Sequence, residues 1–96
     1  MYHIAVVFEY DPKKSAANLV KHGIDFETAK KLWDGKVVAG RAKSEGEPRL
    51  LAVGRIGGKF WSVIITFRRG NIRIISARRS QKHEIKNYER HQGDDR

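Results

Sequence analysis

The chain has no cysteine, two prolines and a single methionine in its 96 residues. Without thiols there is no disulfide scaffold, no cysteine nucleophile and no cysteine-based zinc site, a composition that suits a reducing compartment. Acidic residues are also scarce: eleven Asp and Glu stand against twenty Lys and Arg, for a formal charge of +9. No apolar run approaches the roughly 18 residues that a membrane-spanning helix needs. The segment Met1 to Phe8 is apolar but has neither a basic leader nor a small-residue cleavage site. The expectation is a cytoplasmic chain with no membrane partner.

What is present is ordinary for a folded protein, with 40% hydrophobic and 32% charged residues. The length predicts a single domain over residues 1–96, with the tail Gly93 to Arg96 frayed. A positive excess this large on so small a body points to an anionic partner.

Residues 3–10 alternate as a strand does, with Ile4, Val6, Phe8 and Tyr10 on one face. Asp11-Pro12 is a helix start, because a carboxylate caps free N–H groups and proline tolerates the first helical position. The helix 12–22 carries Ala16, Leu19 and Val20 as its apolar stripe and stops at Gly23. Asp25 caps a second helix over 26–34, with Ile24 and Ala29 as a hydrophobic staple and Phe26, Leu32 and Trp33 on the buried side. Lys36 to Ala39 has short-strand character, and Gly40 to Gly46 reads as polar loop. Three strands follow at Arg49–Ile56, Lys59–Arg68 and Ile72–Arg78. Ser80 is the expected cap of a last helix bearing Ile85 and Tyr88. The result is an α+β protein: strand, helix, helix, an antiparallel three-stranded meander, and a C-terminal helix.

Turn length sets what the strands bring together. With Gly57-Gly58 as a two-residue loop, Ile56 faces Lys59, Arg49 faces Thr66 and Glu47 faces Arg68. One face of the sheet then carries Leu50, Ala52, Trp61, Val63, Ile65 and Phe67 for the helices to cover. The other bears Arg49, Arg55, Ser62, Thr66 and Arg68. Ser76 and Arg78 join that polar face if the loop at 69–71 has three residues, whereas a two-residue loop turns Arg78 to the helix side. Guanidinium forks match phosphate oxygens and stay charged at any physiological pH. The bland alternative is a solvated basic face with Glu47 and Arg68 as a plain cross-strand ion pair.

Several short strings, in this order, resemble the BrnT toxins. They are Tyr10-Asp11-Pro12-Lys13-Lys14 with Asn18, Lys21-His22-Gly23-Ile24 with Phe26, Gly46-Glu47-Pro48-Arg49 with Gly54, and Thr66-Phe67-Arg68. Ile72-Arg73-Ile74-Ile75-Ser76-Ala77-Arg78-Arg79, then Glu84 and Tyr88, complete the series. The resemblance implies a toxin of a type II toxin–antitoxin pair with a RelE-like ribonuclease fold. It implies an RNA substrate, arrest of translation, and neutralisation by a BrnA-like antitoxin whose DNA-binding part brings the complex to promoter DNA.

RNA cleavage without a metal needs an activated 2′-hydroxyl, charge stabilised on the phosphorane, and a proton for the leaving 5′-oxygen. Arg49, Arg68 and Arg78 are the candidates to clamp the phosphate. Glu47 is a candidate base or, opposite Arg68, the partner that orients it. His83, in the first turn of the last helix, is a candidate acid or base against the simpler reading of a solvated surface residue. No carboxylates fall at metal-site spacing, and no cofactor is expected. The competing class of function is a basic module that binds nucleic acid or an acidic protein without chemistry.

Overall fold

Asp11 and Gly23 bracket the first helix as their chemistry predicts. In the structure, a computed structural model that describes residues 6–92, α1 spans Pro12–His22. The Lys13 N–H donates to Asp11 Oδ1 at 2.8 Å, and Gly23 closes the helix at φ 79°, its N–H donating to the Leu19 carbonyl. Asp25 begins α2 (Phe26–Ala29) by accepting from the Thr28 N–H, which holds its carboxyl below the usual range. Here the expected helix over 26–34 divides, because Lys30–Asp34 tightens into a 3-10 turn. That turn seats Leu32 against Gly54, where a β-carbon would come within 2.9 Å of the leucine side chain.

The strands are β1 (Phe8–Glu9), β2 (Val38–Ala42), β3 (Arg49–Ile56), β4 (Lys59–Arg68) and β5 (Asn71–Arg79), and α3 (Lys82–Gln92) closes the chain. They form one sheet in the order β1-β5-β4-β3-β2. The meander β3–β4–β5 is antiparallel as expected, whereas β1 joins β5 in parallel, so the sheet is mixed. Of the strand expected over 3–10, only Phe8–Glu9 forms within the described residues, and residues 3–5 lie outside them, as does the tail 93–96. The expected loop after Ala39 is instead strand: β2 runs through Gly40 to Ala42, held by its pairing with β3.

The helix side of the sheet forms the core. Ile24, Phe26, Ala29 and Leu32 pack on Ala52, Val63, Ile65, Ile74 and Ala77, with Trp33, Trp61 and Leu50 partly buried around them. Phe67, expected in this layer, is 57% exposed, since at the end of β4 it lies beyond the helices that cover Val63 and Ile65. A second correction concerns α1. Its expected stripe faces outward, with Val20 90% exposed, and the residues it buries are Ser15 and Asn18. The reason is unmet backbone. β1 covers only Ile72 and Arg73 of the outer edge of β5. Further along, the Asn18 amide donates to the carbonyls of Ala77 and Ile24, both at 2.8 Å, and accepts from the Ala77 N–H. Ser15 Oγ accepts from the Phe26 N–H. A side chain thus does the work of a strand.

Both hairpins turn on two residues. Gly57 and Gly58 have positive φ, as do Arg69 (53°) and Gly70, which suits the tight turns that match strand twist. The second loop therefore pairs Arg68 with Asn71, not with Ile72. A bulge intervenes: Ile65 pairs with Ile74, but Ile64 pairs with Ser76. The extra residue in β5 reverses its facing, and Arg78, paired with Ser62, returns to the polar side despite the short loop.

Candidate active site on the second face

The second face is not open along its length. α3 lies across one end of it, where Tyr88 meets Phe60 edge-on at 5.3 Å and Glu84 bonds to Ser62. Ser62 and Thr66, expected on an exposed surface, are both buried. Ser80 also departs from expectation. It bonds Ser62 Oγ at 2.7 Å instead of capping α3, and Glu84 Oε1 accepts the Gln81 N–H, three residues back.

Glu84 is the hub of this end. Arg78 grips it with two parallel bonds, Nη1 to Oε1 at 2.9 Å and Nη2 to Oε2 at 2.8 Å. The Arg78 fork, with the Gln81 N–H and the Ser62 hydroxyl, pulls the Glu84 carboxyl down to about 2 against the opposing effect of burial. The carboxylate in turn raises the Arg78 value. Arg78 therefore already holds an anion, and that anion belongs to the protein.

The other end is different. Glu47 and Arg68 meet as expected, Oε1 to Nη2 at 3.3 Å, with both side chains largely exposed. Continuing the β3–β4 ladder one step past Leu50–Ile65 sets Arg49 beside Thr66, whose hydroxyl donates to the Pro48 carbonyl at 2.7 Å. Arg49 is half-buried, its Nε sealed from solvent, and among the described residues nothing bonds to it. The other arginines of β3, β4 and β5 are all engaged. Arg55 lies over Phe60, Arg79 over Trp61, Arg73 against Glu9 at 3.6 Å, Arg68 on Glu47 and Arg78 on Glu84. A buried N–H without an acceptor costs stability, which sets Arg49 apart from the other arginines of the sheet.

The structure thus brings Arg49, Arg68 and Glu47 together and leaves Arg78 apart. Ser62, which faces Arg78, is six residues from Arg68 along β4, a separation of about 20 Å. His83 belongs to the α3 end, on the wall of a groove of about 180 Å³ over Val38, Gly40, Leu51 and Val53 that Arg41, Glu84 and Asn87 also line. Sequence reasoning missed Arg73. The two-residue loop pairs it with Thr66, making a row Arg49–Thr66–Arg73 across three strands. The dipeptide Arg69-Gly70 was the signal that could have found it. Among the described residues no group of His, Asp and Glu gathers that could hold a metal ion, and no helix is long and apolar enough to cross a membrane.

The fold is that of a small, strongly basic α+β protein, with an arginine at the end of its sheet that has no partner among the described residues. Residues 10–84 match the family described as the ribonuclease toxin, BrnT, of a type II toxin–antitoxin system, and the chain belongs to that family. It is a ribonuclease toxin by family, and a type II system implies an antitoxin protein as its partner. No curated protein sequence matches the chain.

Proposed function

We propose that this toxin cuts RNA inside the chain at the Arg49–Arg68 end of the sheet, without a metal, and so arrests translation in the cytoplasm. Arg49 and Arg68 bind the scissile phosphate, and Glu47 keeps the Arg68 fork in place. The chemistry these residues carry is electrostatic: fixed donors stabilise the charge that builds on the phosphorane as the 2′-oxygen attacks and the 5′-oxygen leaves. Arg78, tied to Glu84, serves in this reading by holding α3. The observation that carries the proposal is the half-buried, unpaired Arg49.

Purified chain incubated with RNA in excess chelator should yield fragments with 2′,3′-cyclic phosphate ends. Arg68→Ala should slow cleavage about 100-fold, the cost of one lost transition-state donor, with little change in folding. Binding without cleavage would favour the alternative, a basic nucleic-acid- or protein-binding module. Neutralisation falls to a BrnA-like antitoxin, whose DNA-binding part carries the complex to promoter DNA. An acidic segment of that partner is drawn by the +9 charge, so its association rate should drop steeply as salt rises.

A further inference from the structure

We propose that the groove between α3 and the β2–β3 pair is a nucleobase subsite, seating the base of the nucleotide whose phosphate Arg49 holds. The inference rests on the cleavage reading above and adds what the substrate touches beyond its phosphate.

Four observations carry it. The groove adjoins Arg49: Arg41 lines both it and the neighbouring cleft that holds Arg49, and Arg49, Leu51 and Val53 alternate on one face of β3, with Leu51 about 7 Å along from Arg49. Its floor is apolar. Val38 and Gly40 of β2 lie opposite Val53 and Leu51, and the space above them is about 180 Å³.

Gly40 is the second observation. It sits inside a strand, has no positive φ to require glycine, and a β-carbon there would touch nothing. Neither turn geometry nor packing explains it, whereas a flat body approaching the backbone does.

The third is the rim. His83 and Asn87 stand one turn apart on α3, both exposed, and among the described residues the His83 ring and the Asn87 amide have no hydrogen-bond partner. An imidazole can stack on a base, and an amide can pair with its polar edge. The fourth is electrostatic. The inner wall is Glu84, whose charge Arg78 already takes up, and Arg41 on the same lining adds a positive charge beside a bound nucleotide.

Gly40→Leu tests the site, because the new side chain fills the groove while leaving Arg49 and Arg68 in place. The four nucleoside 3′-monophosphates are titrated separately into purified protein, with amide signals followed by NMR and inorganic phosphate as control. The nucleotides should shift Leu51, His83 and Asn87, with one base favoured, and phosphate should not. Gly40→Leu should weaken nucleotide binding about tenfold and raise the KM for RNA by a similar factor, the scale of one lost stacking contact. Asn87→Ala should flatten the base preference. Unchanged melting of both variants excludes a folding defect.

The subsite is overturned if nucleotides shift only what phosphate shifts, or if Gly40→Leu leaves binding, KM and base preference unchanged. It is equally overturned if Gly40→Leu spares RNA cleavage but abolishes neutralisation by the antitoxin, since the groove would then belong to a protein partner. An unsubstituted chain that cuts no RNA sinks the cleavage reading, whereas the nucleotide titration still decides the groove.

Discussion

Arg78 and Arg49 stand on the same face of the sheet, and their circumstances are opposite. Arg78 is locked in a two-pronged pair with a carboxylate that has a backbone N–H and a serine hydroxyl as further donors. Arg49 is partly withdrawn from water, and among the described residues no anion pairs with it. A guanidinium whose fork already holds a carboxylate has its charge compensated within the protein, and it ties α3 to the sheet. An uncompensated one keeps its donors, and in the proposed function they meet the incoming phosphate. Charge alone does not separate these two arginines. Their partners do.

The contrast is sharpest in stability. Glu84→Ala leaves Arg78 and the Gln81 N–H without their acceptor, and breaking a buried pair from one side costs about 3–5 kcal/mol. Denaturant titration should show that loss, and α3 should lose protection in hydrogen exchange.

Acid acts on the same hub. The Glu84 carboxyl titrates near 2 when folded, against an ordinary 4.5. Its stabilisation is complete above the unfolded value and is lost as pH falls from there through the folded one. The loss should reach roughly 3 kcal/mol, and the decline should vanish in a Glu84→Gln background.

The opposite end should respond less. Thr66→Val removes one hydroxyl from the Pro48 carbonyl, at a cost of about 1 kcal/mol. Smallest of all is Arg49→Met, which discards an unpaired cation. Folding stability should stay level or rise slightly, and a fall as large as that of Glu84→Ala would mean that Arg49 is structural after all.

Much of this arrangement was legible in the sequence. Asp11-Pro12 and Gly23 set both ends of α1, and Gly57-Gly58 fixed the pairing that joins Glu47 to Arg68. Strand limits at Arg49–Ile56 and Lys59–Arg68 follow from the same turns. What escaped depends on contacts distant in the chain. The bulge opposite Ile64 and Ile65 has no local marker, yet it decides which way Arg78 faces. Asn18 and Ser15 look like surface residues until β5 and the start of α2 present bare backbone to them. Glu84 enters the sequence reading only as one residue of the resemblance, and only the fold places Arg78, Ser62 and Gln81 around it.

Single-turnover cleavage of one RNA by Arg49→Ala and Arg78→Ala, each normalised to its folded fraction, tests the central claim. The account predicts that Arg49→Ala cleaves about 100-fold more slowly than the unsubstituted chain, with its melting temperature preserved. Arg78→Ala should melt earlier yet, molecule for folded molecule, cleave at nearly the unsubstituted rate. The reverse pattern, full cleavage by Arg49→Ala and none by well-folded Arg78→Ala, would contradict it and move the catalytic centre to the α3 end of the sheet.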